Sequence, residues 1–318
     1  MNTFFLDRLN SEPHALAFAG QSTPWPVALA DQSANPALDE ALHTHAAAAQ
    51  ALLYPVSAEL LATTGRPVDL FGFEPNPARL GAAAAASASV PGIALTQLGA
   101  LLDAAALGYN PAQAKPVAVL GHSQGVLAVH MVQAICEAGS IDAAAAKIDE
   151  ILAIATLIGV AGTRQARQLG LAARHGEATP MLSVKDITRA QVDALIERVD
   201  GARGPIAVAV TNSATHYVLS GYPEDLAAFG VEVAKEHKRQ AKLREEKVRG
   251  GRVFDPTLEY LDVTLPFHSP LMADAVSQAV AWAEACGINA DHARELAAEV
   301  LLNHVDWAAR VRALMKST

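Results

Sequence analysis

The stretch GHSQG at residues 121–125 stands between two apolar segments with different spacing. Residues 116–120 (PVAVL) have the composition of a short buried strand, and residues 126–138 carry apolar side chains at helical spacing. A sharp turn from strand to helix exposes its serine, and the flanking glycines leave room for the bend. The start of a helix also offers backbone N–H groups to a developing oxyanion. We therefore predict that Ser123 is a nucleophile.

The composition indicates a globular chain with a large core. Of 318 residues, 51% are hydrophobic and 18% are charged. This length accommodates one large domain with a smaller domain inserted in it. The 33 acidic and 24 basic residues leave a net charge of −9, which argues against nucleic acid as a partner.

The same composition predicts a cytoplasmic protein without a membrane segment. Its most apolar stretch, residues 151–162, has the length of a buried core helix and is too short to cross a bilayer. Residues 1–10 lack the apolar core of a secretion signal. Cys136 and Cys286 are the only cysteines and have no metal-ligand spacing, so we expect free thiols, no disulfide and no metal site.

The order of strands and helices predicts an α/β fold. A strand at 15–19, helical patterns over 36–108 and the strand at 116–120 indicate a large domain with a parallel sheet, similar to that of α/β-hydrolases. We assign residues 1–178 and 265–318 to this large domain.

Between residues 179 and 264 the pattern changes. Four strands and two helices follow one another in the order β-α-β-β-α-β, with strands at 181–184, 206–210, 217–220 and 259–264 and helices at 189–199 and 223–235. This order is the signature of a ferredoxin-like fold. We therefore predict an inserted ferredoxin-like subdomain over residues 179–264.

A serine nucleophile needs a base, and one of the 11 histidines has a suitable setting. His268 follows the last strand of the subdomain in the sequence LPFHSP, where Pro266 and Pro270 restrict the backbone. A rigid connection suits a base that must be held still. Ser269 is also a candidate helix N-cap, so the alternative is a capping loop that contains an incidental histidine.

Five motifs in order resemble the acyl-CoA:acyl-carrier-protein transacylases. They are FAGQ at 18–21, GHSQG at 121–125, NSATHYVLSG at 212–221, FHSPLM at 267–272 and NHVDW at 303–307. The resemblance implies a Ser–His acyltransferase with a ping-pong mechanism. No bound cofactor is implied, and acyl-CoA and an acyl carrier protein are the expected partners.

The resemblance also implies residue roles. Ser123 is the acylated nucleophile and His268 its base, and the backbone N–H groups of Gln21 and Gln124 form the oxyanion hole. Because only these amides are needed, we expect Gln124→Ala to be tolerated. Asn303, or a carbonyl at 300–302, is the expected partner that orients His268.

Two further features point to a fatty acid synthase. Gln124 with Val126 and the segment KVRGGRVF at 247–254 resemble the N-terminal acetyltransferase domain of actinobacterial (mycobacterial and corynebacterial) type I fatty acid synthases. This likeness implies that the chain is part of a multienzyme, with its other domains as partners. Ser22 stands where the family usually has glycine.

The identity of the transferred acyl group is predicted from the absence of an arginine. Malonyl transferases of the family hold the substrate carboxylate with an arginine on the second helix after the nucleophile, yet residues 125–163 contain no arginine. The stretch expected to carry it, residues 152–158, is almost wholly apolar. An unpaired carboxylate would be disfavoured there, so we expect acetyl transfer. Phe267 resembles the position that limits acyl size, and Asn212 is a candidate to line the substrate site.

Three alternatives stay open. The chain could transfer malonyl or palmitoyl groups, or it could be a serine esterase or thioesterase in which His304 acts with Asp255 or Asp262. It could also be a structural domain without activity. Finally, the basic segment at 237–252 is either a solvated surface or a docking site for an acidic carrier protein.

Overall fold

The computed structural model describes residues 8–21, 24–65, 67–69, 86–171, 178–245 and 254–317. The chain divides into two compact units, residues 1–165 with 274–300 and residues 166–273 with 301–318. The second unit is wider than the predicted subdomain at 179–264 and includes the C-terminal residues. The assignment of residues to domains stays a prediction.

The described chain contains both helices and strands, as expected for an α/β fold. In chain order they are β1 (Ala15–Phe18), α1 (Trp25–Ser33), α2 (Pro36–Leu52), α3 (Ser57–Thr64), α4 (Ala86–Ala106), α5 (Pro111–Ala114), β2 (Ala118–Gly121), α6 (Val126–Ala138), α7 (Ala145–Gln168), β3 (Met181–Lys185), α8 (Arg189–Ile196), β4 (Ala207–Ser213), β5 (His216–Ser220), α9 (Pro223–Glu245), β6 (Thr257–Tyr260), α10 (Ala273–Ala285), α11 (Ala290–Leu301), β7 (Val305–Asp306) and α12 (Trp307–Ser317).

The first unit contains the predicted parallel sheet. β1 and β2 pair in parallel, with Ala15 opposite Ala118 and Phe18 opposite Gly121. Helix α6 begins at Val126, as predicted from its apolar spacing. Parallel pairing brings the ends of β1 and β2 to one edge, so the residues after Phe18 and after Gly121 emerge side by side.

Two helices of the first unit, α4 and α7, are buried over long stretches. α7 has wholly buried side chains over Leu152–Ile158. α4 is buried along most of its length and packs closely on α1, since a Cβ at Gly92 would lie 2.4 Å from the ring of Trp25. Only glycine permits this approach.

Helix α4 also bears on the membrane prediction. Among the described residues it is the one helix long and apolar enough to span a bilayer, and 72% of its most apolar window is buried inside the protein. The prediction that every apolar stretch is too short is therefore wrong for α4. Its burial within the first unit is typical of a core helix.

The second unit has the predicted β-α-β-β-α-β order. Its sheet has the strand order β6-β3-β5-β4-β7, and the first four strands are antiparallel to their neighbours, which is the ferredoxin-like arrangement. Leu182 and Val184 on β3 and Leu219 on β5 pack with Phe229 of α9 in one apolar cluster. Alternating residues of each strand thus face the helices.

The second unit departs from the sequence expectation in three places. α9 extends to Glu245 rather than 235, the last predicted strand ends at Tyr260 rather than 264, and β7 pairs in parallel with β4 as an additional strand. Because β7 joins through Val305 and Asp306, it brings the residues just before them to the end of the sheet.

Candidate active site

Ser123 lies on a strained turn between β2 and α6. Its φ is +54°, and the short 3-10 turn Ser123–Gly125 leads directly into the helix. The N–H of His122 donates to the carbonyl of Phe18 at 2.9 Å, and the N–H of Gly125 donates to the carbonyl of His122 at 3.0 Å. A serine at positive φ costs free energy, so the surrounding structure must hold it there.

Three glycines make this turn possible. A Cβ at Gly125 would lie 2.2 Å from the carbonyl oxygen of Phe18, and one at Gly121 would lie 2.4 Å from the nitrogen of Val126. A Cβ at Gly20 would lie 2.6 Å from the carbonyl oxygen of His122. The segment after β1 and the turn after β2 therefore touch backbone to backbone, which only glycine allows.

The two predicted oxyanion donors, Gln21 and Gln124, are linked by their side chains. Gln124 is completely buried, and its Nε2 donates to Oε1 of Gln21 at 2.5 Å. Nε2 of Gln21 in turn donates to Oγ of Ser89 on α4 at 2.9 Å. Ser22, the departure from the family pattern, lies outside the described residues.

His268 occupies a second strained turn, in the second unit. Its φ is +56° and it is only 2% exposed. Nδ1 lies 2.8 Å from the main-chain carbonyl oxygen of Asn303, and the N–H of Ser269 donates to the carbonyl of Leu301 at 3.1 Å. A carbonyl can only accept, so Nδ1 carries a proton, and in the neutral form of the ring the lone pair is then on Nε2. That is the tautomer a general base requires.

The remaining predicted residues lie in the same unit as His268. Phe267 is 2% exposed, and its ring centre is 6.5 Å from that of His268. Asn212 is half-buried near the end of β4, where the pairing with β5 shifts register between Thr211 and Ser213. The structure thus brings Ser123 together with Gln21 and Gln124 in the first unit, and His268 together with Asn303 and Phe267 in the second unit, to which Asn212 also belongs.

The arginine nearest to the apolar stretch of α7 is engaged elsewhere. Nη1 of Arg164 donates to Oε1 of Gln278 on α10 at 3.0 Å, and its guanidinium lies 5.9 Å from the ring centre of Trp282. Residues 152–158 are at most 1% exposed, and the hydroxyl of Thr156 donates to the carbonyl of Leu152 at 2.9 Å. This core position therefore holds no cation.

His304 has partners that do not form the triad of a hydrolase. Its Nε2 lies 3.0 Å from Oγ1 of Thr211, while Oδ1 of Asp255 lies 3.7 Å from Nδ1 of His237. Burial lowers the pKa of His304, an effect that Asp306 opposes and Arg189 reinforces. These contacts do not favour the esterase alternative.

One arginine of the basic segment at 237–252 forms an ion pair within the second unit. Arg239 and Arg198 both bind the buried carboxylate of Glu236, and the hydrogen bonds from Arg239 contribute most to lowering the pKa of Glu236 to about 2. Lys238 and Lys242 are exposed on the same helix, α9. Residues 246–253 lie outside the described residues.

Sequence reasoning missed the side-chain link between Gln21 and Gln124 and the contact of Thr211 with His304. The first joins residues 103 positions apart, and the second joins residues 93 positions apart. The motifs that contain Gln21 and Gln124 indicated backbone roles only, and Thr211 lies just before the motif at 212–221. The one available signal was a polar glutamine in an apolar setting next to Ser123.

Comparison with known proteins gives one family match. The family model described as the fatty acid synthase central AT domain matches residues 180–260. The fatty acid synthase subunit beta of Schizosaccharomyces pombe is 27% identical over 209 residues, 59% of this chain and 10% of that protein. Fatty acid synthase 2 of Mycosarcoma maydis is 30% identical over 175 residues, 52% of this chain and 5% of that protein. The chain spans no more than a tenth of these relatives.

Solved structures share the fold over nearly the whole chain. The malonyl CoA-acyl carrier protein transacylase from Coxiella burnetii aligns with a TM-score of 0.59 and 17% identity, covering 96% of this chain and 84% of that one. At this identity the likeness concerns the fold alone.

Proposed function

We propose that this chain, a member of the acyl-CoA:acyl-carrier-protein transacylase family by its motifs, its fold and its family match, transfers an acetyl group from coenzyme A to the phosphopantetheine thiol of an acyl carrier protein. The observation that carries the proposal is the turn at Ser123. A serine at positive φ, between a parallel strand and a helix, is the arrangement that presents Oγ as a nucleophile.

In the first half of the reaction, Ser123 is acylated. Oγ attacks the thioester carbonyl of acetyl-CoA while Nε2 of His268 takes its proton. The N–H groups of Gln21 and Gln124 stabilise the oxyanion of the tetrahedral intermediate. The carbon–sulfur bond then breaks, and the departing thiolate takes the proton back from His268 and leaves as free coenzyme A.

In the second half, the acetyl group moves to the carrier. His268 takes the proton of the phosphopantetheine thiol, and the thiolate attacks the acetyl-serine. Collapse of the second tetrahedral intermediate returns the proton to Oγ of Ser123. Asn303 supports both halves, because its carbonyl oxygen keeps the proton of the neutral imidazole on Nδ1.

The preference for acetyl rests on the core of the first unit. A malonyl carboxylate needs a cation, and the residues of α7 where the family carries its arginine are buried and, apart from Thr156, aliphatic. Arg164 is held by Gln278 instead. Phe267 is assigned to limit acyl size, and Asn212 to line the acyl site.

The setting implied by this function is a cytoplasmic fatty acid synthase. Other domains of the multienzyme are then partners of the chain, and acetyl-CoA is a substrate rather than a resident cofactor. Each chemical step uses groups of the chain itself.

The test is the intact mass of the protein after brief mixing with acetyl-CoA or malonyl-CoA. We expect an acetyl adduct, little malonyl adduct, and no adduct on the Ser123→Ala variant. His268→Ala should slow adduct formation by about 100-fold or more, since a general base contributes about that much. Dominant malonyl labelling would overturn the acetyl assignment, and free acid without an adduct would favour a hydrolase.

Carrier docking is assigned to the exposed bases of α9. Lys238 and Lys242 are exposed basic residues of a chain that is acidic overall, and exposed basic side chains suit an acidic carrier protein. Reversing both charges should raise the KM for the carrier without slowing acetylation of Ser123 by acetyl-CoA. An equal loss in both reactions would contradict this docking surface.

A further inference from the structure

The two residues assigned as oxyanion donors come from different segments. Gln21 follows β1, whereas Gln124 lies in the turn after β2. Strand pairing joins these segments only as far as Phe18 and Gly121, three residues before each donor. The distance between the two N–H groups therefore depends on contacts beyond the sheet.

The side chains of the donors supply such a contact. Nε2 of Gln124 donates to Oε1 of Gln21 at 2.5 Å, and Nε2 of Gln21 donates to Oγ of Ser89 at 2.9 Å. Ser89 is 1% exposed and belongs to the buried helix α4. The chain of bonds thus runs from one donor to the other and on to a buried helix of the core.

The side chain of Gln124 is costly for the fold. It is completely buried, and its Oε1 has no hydrogen-bond partner among the described residues. An unsatisfied buried amide oxygen costs stability, whereas an apolar side chain of similar size would fill the same space without that cost. Stability alone therefore does not account for a glutamine at this position.

We propose that Gln124 and Gln21 are positioning residues whose side-chain bond sets the spacing of the two oxyanion donors. The inference rests on the proposed acyl transfer and deepens it. A displacement of about 1 Å can reduce a rate by roughly 100-fold, so loss of the bond acts on the chemical step. It also reverses the expectation that Gln124→Ala is tolerated.

The experiment measures single-turnover acetylation of Ser123 by mass at increasing acetyl-CoA concentrations. Gln124→Met and Gln21→Met remove the bond and keep the volume of the side chains. We expect each to lower the maximal rate roughly 10- to 100-fold, with the half-saturating acetyl-CoA concentration changed less than about 3-fold. The double variant should be no slower than Gln21→Met, because that single change already removes the bond to Gln124 together with the bond to Ser89.

A third glutamine provides the matched control. Gln32 on α1 donates to the carbonyl of Thr96 at 2.9 Å, and its Oε1 is also buried without a partner among the described residues. Gln32→Met should therefore leave the maximal rate unchanged. It should lower the melting temperature by no more than Gln124→Met does. We expect the melting temperature of Gln124→Met to equal or exceed that of the unaltered protein.

The outcomes separate this inference from the proposed function. Acetylation of Gln124→Met at the unaltered rate overturns the inference, and so do additive losses in the double variant. If Gln124→Met does not fold, Gln21→Met tests the inference instead, because Gln21 is only partly buried. Acetylation of Gln21→Met at the unaltered rate would also overturn the inference. If the unaltered protein forms no adduct, the proposed function fails and takes the inference with it.

Discussion

The turn at Ser123 and the turn at His268 place non-glycine residues at nearly the same positive φ, 54° and 56°, but different forces hold them. Such a backbone costs about 1–3 kcal/mol and persists only where its surroundings impose it. At Ser123 the constraint is contact between backbones, made possible by glycine. At His268 the constraint is a set of hydrogen bonds and two prolines.

Each turn is therefore sensitive to a different change. The serine turn has no space for an added methyl group, since a Cβ at Gly125 would lie within 2.2 Å of a carbonyl oxygen. The histidine turn is bordered by side-chain hydrogen bonds that a substitution can remove, between the ring of His268 and the carbonyl of Asn303 and between the N–H of Leu271 and Oγ of Ser269. Substitutions that add or delete a few atoms can therefore test whether steric contact holds the serine turn and hydrogen bonds hold the histidine turn.

The largest effect is expected for Gly125→Ala in the serine turn. The added Cβ would collide with the backbone of Phe18, which cannot move without disturbing β1. We expect a loss of about 3 kcal/mol in the free energy of unfolding, together with loss of acetylation at Ser123. Urea unfolding and intact mass measure the two effects.

The other end of the same helix gives a control. Gly139 follows α6 at φ +90° with nothing within 4 Å of a Cβ, so alanine there costs only backbone strain. Gly139→Ala should lower the free energy of unfolding by about 1 kcal/mol and leave acetylation intact. If Gly125→Ala costs no more than Gly139→Ala, contact between backbones does not hold the serine turn.

This contrast also explains how much of the site the sequence could predict. The serine turn is encoded by glycines at 121 and 125, so the motif itself indicates the geometry. The positive φ of His268 has no such signal, because its support comes from Leu301 and Asn303, more than thirty residues later. The side-chain hydrogen bond between Gln21 and Gln124 likewise could not be predicted from the sequence, because the two residues are 103 positions apart.

The fold shows the same division. Strands β3 to β6 could be predicted because alternating apolar residues and turns mark them. β7 has only two residues, Val305 and Asp306, and exists through its pairing with β4. α9 runs past its apolar residues because pairs such as Glu232 with Lys235 and Glu236 with Arg239 support its exposed half.

An intermediate effect is expected for Ser269→Ala in the histidine turn. Ser269 is fully buried, and its Oγ accepts a hydrogen bond from the N–H of Leu271 at 3.3 Å. Its removal should cost about 1 kcal/mol of unfolding free energy and slow acetylation, because His268 is the preceding residue. Urea unfolding and single-turnover mass spectrometry measure both.

Thr188→Ala is the matched control for Ser269→Ala. Thr188 caps α8 in the same unit, and its Oγ1 accepts from the N–H of Gln191 at 3.4 Å. It should cost about as much stability without slowing acetylation, since a typical cap contributes about 1 kcal/mol. Equal slowing by the two variants would mean that the effect of Ser269 is general destabilisation.

The smallest effect is expected from pH, through His304 beside Asn303. Burial lowers the pKa of His304 below its ordinary value of 6.5, with Asp306 opposing and Arg189 reinforcing the shift. The unfolded chain therefore binds the proton more readily, and stability present above pH 6.5 is lost as pH falls towards the folded pKa. His304→Gln can keep a contact with Thr211 but cannot titrate.

Melting temperatures of the two proteins from pH 8 to pH 5 test this. Relative to His304→Gln, the unaltered protein should lose stability below pH 6.5, and its acetylation should slow in parallel, because protonation of His304 disturbs the segment that carries the carbonyl of Asn303. If the difference in melting temperature between the two proteins stays constant with pH, protonation of His304 does not destabilise the histidine turn. The bond to Asn303 and the cap by Ser269 would then be the contacts that hold this turn.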